Sequence, residues 1–199
     1  MPLEQFLALS GFVIVMTGTP GPNNMMLLSA GANFGFRRSI PHILGITVGC
    51  QILLVAVALG LGQLLIIYPA AAFLLKVLCV LVLVYLAWQL LRSPGITTNG
   101  DQSGGRPLSF WQSVLFQWVN PKAWLMMIAV IATYTQPDNM LKNTVIIALL
   151  FAVLGTPLIS IWNLFGTSLR KLLQHPTRLR IFNVVMAVAL LGSMYPLLE

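Results

Sequence analysis

Residues 17–24 read TGTPGPNN (Thr17-Gly18-Thr19-Pro20-Gly21-Pro22-Asn23-Asn24) and interrupt an otherwise apolar run. Pro20 and Pro22 donate no backbone N–H, and their rings clash with the preceding turn, so a straight helix stops here. Gly18 and Gly21 accept backbone angles that other residues resist. Residues 6–16 and 25–32, on either side, are apolar enough to lie in lipid. Broken backbone at membrane depth is tolerated only where protein buries it or where it lines a cavity. The break therefore marks a candidate site rather than a surface loop.

The whole chain agrees with that setting. Of its 199 residues 58% are hydrophobic and only 8% charged, where a soluble domain carries about a quarter charged residues. Mean hydropathy is +0.89. The net charge of +7 does not point to nucleic acid, because eight of the 11 basic residues sit in short loops beside apolar spans, where they set topology. No Lys or Arg precedes Arg37, so a secretory leader with a positive start is not expected. Cys50 and Cys79 fall inside apolar spans, away from either break described here, and read as small buried hydrophobes. Neither His42 nor His175 has a Cys or carboxylate at ligand spacing, so no metal or other cofactor is expected.

Six spans are expected, at 6–33 (broken), 40–65, 70–91, 108–136 (also broken), 143–164 and 181–198. The polar linker 93–107, SPGITTNGDQSGGRP, divides one transporter domain into halves of about 1–92 and 108–199. Arg37, Arg38, Arg92, Arg106, Arg170, Lys171, Arg178 and Arg180 fall on one side, which the positive-inside rule makes cytoplasmic. Tyr68, Tyr134 and Tyr195 fall near the opposite ends of spans, as an interfacial aromatic belt would place them. Three spans per half require the second half to run inverted, as in many secondary transporters. Span four carries the matching break, Trp118-Val119-Asn120-Pro121-Lys122. Each broken span would measure roughly 42 Å as a continuous helix, against a bilayer core of about 30 Å. The fold expected is an all-α integral membrane protein of two inverted three-helix halves, with helices one and four broken and meeting near the midplane. Gly45 and Gly49 form a close-packing GxxxG pair in span two, with Ala56 and Gly60 continuing its face. Its partner is open between span one, the repeat mate and a second protomer in a homodimer.

The breaks hold the residues with chemistry. A lysine inside a span costs roughly 2.5–3.5 kcal/mol, so Lys122 needs a partner, water or a bound anion unless it snorkels to the surface. Asn24 suits the N-cap of a half-helix over 25–33, whose free N–H groups and dipole would receive a carboxylate. Carbonyls of residues 17–19 would accept from an ammonium group. Thr19, Pro20, Gly21, Pro22, Asn23, Asn24, Asn120, Pro121 and Lys122 form the candidate substrate-binding set. The alternative for the asparagines is that they only satisfy backbone groups freed by proline. No Asp or Glu lies inside a span, which favours a neutral amino-acid zwitterion and leaves no carboxylate relay for protons.

These motifs resemble the lysine-exporter and homoserine-exporter (LysE/RhtB) family of bacterial amino-acid exporters. The resemblance rests on Pro20-Gly21-Pro22-Asn23, Gly35-Phe36-Arg37, Gly45 with Gly49, and Asn120-Pro121-Lys122 after Phe110 and Phe116. Span three departs from the family pattern, with Cys79, Val82 and Ala87 where glycines and a tyrosine are usual. The resemblance implies a multi-pass protein of the bacterial inner membrane, not an enzyme. Its activity would be amino-acid export by proton-motive-force-driven antiport, with small neutral amino acids such as threonine, homoserine, serine or cysteine as the substrate class. Two readings from other classes compete: a membrane thiol electron carrier, which the lack of a CxxC disfavours, and a structural subunit of a membrane complex.

Overall fold

The proline-rich stretches are where the chain bends. Helix α1 (Leu3–Gly18) stops before Thr19, and α2 (Pro22–Phe34) restarts at 54° to it. Helix α6 (Phe110–Phe116) tightens into a 3-10 turn, Gln117–Val119, and α7 (Pro121–Tyr134) departs at 69°. In both cases a proline opens the second helix, where its missing N–H would have been unpaired in any case. This computed structural model describes residues 1–92 and 106–193. All regular structure among them is helical. Most of the polar linker, the end of span six, Tyr195 and Glu199 lie outside the described residues.

The remaining helices are α3 (Phe36–Ala58), α4 (Leu61–Ile67), α5 (Pro69–Leu91), α8 (Met140–Leu150), α9 (Thr156–Leu169) and α10 (Pro176–Gly192). Three stretches, Phe36–Ala58, Pro69–Leu91 and Met140–Leu169, are long and apolar enough to cross a membrane, and five are if each bent pair is one span. The second span differs from the expected 40–65. It starts at Phe36 and ends at Ala58, because Gly60 takes φ +101 and turns the chain into α4. Gly60 thus ends the span instead of continuing its small-residue face.

The fifth span contains a widened turn, Phe151–Gly155, between α8 and α9. Pro157 explains it. The proline has no N–H for the Val153 carbonyl and its ring crowds that position, so the helix takes up one extra residue.

Glycines set how the helices approach. A Cβ at Gly45 would overlap the Phe110 carbonyl and come within 2.6 Å of Ser113 Cβ, and one at Gly49 would lie 2.7 Å from Gln117 Cγ. The GxxxG partner left open by sequence is therefore α6, within the same chain. A second close approach joins α2 to α9, where Gly31 meets the Asn163 carbonyl and Gly166 meets the Leu28 carbonyl. Asn163 Nδ2 seals that contact by donating to Leu27 O at 2.8 Å. Gly166→Ala is expected to force α9 off α2. Overpacking costs about 1–3 kcal/mol, so a clear drop in the thermal midpoint of the purified protein should follow. Gly11→Ala, which meets nothing within 4 Å, should leave the midpoint unchanged.

Buried Leu9, Val13, Leu53, Met127, Val130 and Ile147 form one core joining α1, α3, α7 and α8 around the breaks. Helix α5 buries only Cys79, Leu83, Leu86 and Ala87, and leaves Phe73, Leu81, Tyr85 and Trp88 exposed. In a bilayer that face meets lipid, where apolar exposure carries no penalty.

Candidate functional site

The two breaks meet at a cavity of about 60 Å³. That is room for a few waters or the head of a small zwitterion. Gly21, Asn23 and Asn24 line it from the first break, and Asn120 and Lys122 from the second. Thr47, Cys50 and Gln51 of α3 face them, and Phe151, Gly155 and Thr156 bring in the widened turn. Such turns recur at functional sites because they re-aim side chains.

The residue that joins the breaks is Gln117, which is fully buried. Its Oε1 accepts from Asn23 Nδ2 at 2.8 Å and its Nε2 donates back to Asn23 Oδ1 at 3.1 Å. Nε2 also donates to Ser113 O at 3.0 Å, and Oε1 accepts from Asn120 Nδ2 at 3.3 Å. One side chain thus clamps an amide from each break. Gln117 is absent from the candidate set expected from the sequence. The available signal was a glutamine three residues ahead of Asn120 inside an apolar span, a costly placement in lipid without partners.

The freed carbonyls of the first break are nearly all occupied. Asn24 Nδ2 donates to Thr17 O and Thr19 O, both at 2.8 Å, and Trp162 Nε1 donates to Gly18 O at 3.2 Å. Lys122 Nζ donates to Thr19 O at 2.7 Å, Thr19 Oγ1 at 2.9 Å and Pro20 O at 3.1 Å. At the second break Trp124 Nε1 donates to Trp118 O at 2.8 Å. Two expectations change accordingly. Residues 17–19 do not hold their carbonyls open for an ammonium guest. Asn24 is not the N-cap either: Gly21 holds that position with Pro22 next, and the Asn24 side chain turns back to the end of α1.

Lys122 does not snorkel away from the break. Its three ammonium protons are matched by three oxygens of the first break, beside the negative end of the α1 dipole. The side chain crosses Gly21 so closely that a Cβ there would lie 2.6 Å from Lys122 Cδ. Of the expected set, Gly21, Asn23, Asn24, Asn120 and Lys122 line the cavity. Thr19, Pro20, Pro22 and Pro121 shape the breaks behind it.

Three polar atoms of the lining residues are buried with no partner among the described residues: Thr17 Oγ1, Gln51 Oε1 and Asn120 Oδ1. Two are acceptors and one is a hydroxyl. Opposite in character, the N–H groups of Asn23 and Asn24 open α2 and that of Lys122 opens α7, where no preceding turn supplies a carbonyl. One cavity therefore offers acceptors together with the positive ends of two helices. Cys50 also belongs to it, with Sγ 3.5 Å from Gln117 Oε1, which corrects its expected position away from both breaks.

A model of the LysE type translocator family matches residues 14–194. The chain belongs to the LysE family. The cysteine/O-acetylserine efflux protein of Escherichia coli O139:H28 (strain E24377A / ETEC) is 32% identical to it over 181 residues, 90% of each chain. The proteins of the same description from Escherichia coli (strain K12) and Shigella flexneri are 32% identical over 180 residues, again 90% of each. No solved structure matches significantly. The resemblance read from Pro20-Gly21-Pro22-Asn23 and Asn120-Pro121-Lys122 is borne out. As a LysE family member the chain is a multi-pass membrane transporter and not an enzyme, which removes the ground for the electron-carrier and scaffold readings.

Proposed function

We propose that this LysE family protein exports small neutral amino acids of the cysteine and O-acetylserine type across the bacterial inner membrane. The observation that carries the reading is the cavity between the two breaks. The substrate carboxylate sits at the N–H groups of Asn23, Asn24 and Lys122, where two helix dipoles and the Lys122 charge reinforce one another. The ammonium group sits at Gln51 Oε1, Asn120 Oδ1 and Thr17 Oγ1. Ile46, Met126, Phe151 and Ile159 enclose a short side chain, and no lining residue is acidic, so a cationic side chain has no counter-charge. The relatives' description as cysteine/O-acetylserine efflux proteins supports that substrate class.

The working fold is six spans in two inverted halves with the basic loops in the cytoplasm. Helix pairing supports it. Exchanging the halves sends the α2–α9 contact of spans one and five onto the contact of α7 with α3, spans four and two. The contact of α5 with α10, spans three and six, maps onto itself through Leu83, Leu86, Ala187 and Leu190. The proton-motive force drives export by antiport.

Everted inner-membrane vesicles containing the protein test this directly. Labelled O-acetyl-L-serine and L-cysteine should accumulate when a proton gradient is imposed, and a protonophore should abolish the accumulation. L-lysine should accumulate at least tenfold less. Equal accumulation of lysine, or none of either neutral substrate, would contradict the substrate assignment.

A further inference from the structure

A second cavity, of about 110 Å³, lies along the other half of α2. Ser29 and Asn33 of α2, His42 of α3 and Gln89 of α5 line it, with Arg106 exposed at its edge. Its lining reaches Phe34 at the end of α2 and Arg106 ahead of α6, beside the basic loops, the side taken above as cytoplasmic. The amino-acid cavity does not use any of these residues.

Two residues of its lining carry buried polar atoms without partners among the described residues. His42 is buried, and neither ring nitrogen has a partner among the described residues. Asn33 is also buried. Its Nδ2 is committed to Ser29 O at 2.9 Å and Asn183 Oδ1 at 3.3 Å, which fixes the amide and leaves Oδ1 unpartnered among the described residues. Leaving buried acceptors unmatched is costly, so groups this deep are kept for something that binds them. Arg106 supplies a planar positive fork suited to a carboxylate.

The two cavities share one stripe of α2. Asn23, Met26, Ala30 and Asn33 follow each other at helical spacing on one face. Asn23 lines the first cavity and the other three line the second. The Asn23–Gln117 amide pair therefore stands at the boundary between them. The second cavity also has the larger volume of the two.

The geometry points to a second amino-acid-binding site in this cavity, on the basic side, where a zwitterion is held before it passes the Asn23–Gln117 pair. Arg106 takes the carboxylate, and Asn33 Oδ1 with an unprotonated His42 nitrogen takes the ammonium group. This rests on the amino-acid reading proposed above.

Equilibrium binding of labelled O-acetyl-L-serine to the purified full chain in detergent micelles tests it. Two molecules should bind per chain. Arg106→Gln, at an exposed position that folding does not depend on, should leave one, and so should Asn33→Ala. Gln117→Leu should abolish the other, and the Arg106→Gln, Gln117→Leu double variant should bind none. In everted vesicles Arg106→Gln should raise KM severalfold with little loss of maximal rate. One molecule per wild-type chain, or two that survive Arg106→Gln with KM unchanged, would overturn the second site and leave the exporter reading standing. No binding to the wild-type chain would overturn both.

Discussion

Replacing Gln117 with leucine is expected to lower export about a hundredfold while the chain still reaches the membrane. The two side chains are close in volume, so the core around position 117 stays filled. What is lost is the reciprocal amide pair with Asn23 and the contact to Asn120. A buried polar group left without its partner costs about 1–3 kcal/mol; with Asn120 buried and Asn23 half-buried, roughly 2.8 kcal/mol in total corresponds to the hundredfold. Initial rates in everted vesicles, normalised to protein in the membrane, give the measurement. Gln117→Asn should not rescue, because its amide falls one methylene short of Asn23. Asn23→Ala combined with Gln117→Leu should be little worse than Gln117→Leu alone, since both remove the same pair. A leucine variant transporting at half the wild-type rate would show that Gln117 only fills space.

The second large effect is expected at Lys122. Lys122→Met should reduce transport to the background of empty vesicles, because Pro20 O loses its donor, Thr19 O keeps only that of Asn24, and the two breaks lose one of their two ties. Lys122→Arg should keep less than a tenth of the rate. An ammonium can point three protons at three converging oxygens, whereas the guanidinium presents a flat fork. There is also no space beside Gly21, which the lysine stem already crosses. Gly21→Ala should therefore resemble a milder Lys122 lesion, with reduced rate and unchanged membrane level. Wild-type transport by Lys122→Arg would mean that only the charge matters at this position.

The sequence made the breaks legible because proline and glycine act locally. Pro20, Pro22 and Pro121 remove N–H groups wherever they fall, and an apolar setting turns that loss into a site. Their mutual approach was legible as well, since two interruptions at similar depth in two apolar spans belong together. The partners of the freed groups were not. Whether Asn24 caps forward or turns back to Thr17 depends on Pro22 taking the first helical position, a choice between two locally reasonable geometries. Lys122 was legible as a charge needing a partner, but the partner lies 103 residues away in sequence. Gln117 and Cys50 are ordinary letters in apolar spans, and only the α3–α6 contact through Gly45 and Gly49 brings them to the cavity. The break at Gly60 was hidden because its neighbours are as apolar as the helix it ends.

The substrate carboxylate is expected to rest on the paired helix starts. Solid-state NMR on reconstituted protein tests it most directly, with O-acetyl-L-serine labelled by 13C at the carboxyl and the protein by 15N in asparagine and lysine backbones. Dipolar recoupling should place the carboxyl carbon within about 4 Å of the Asn23 or Asn24 amide nitrogen, as a hydrogen-bonded carboxylate requires. The Gln117→Leu variant, with the breaks unclamped, should lose that contact. Bound substrate whose carboxyl shows no dephasing from those amides in the wild-type protein would contradict the assignment.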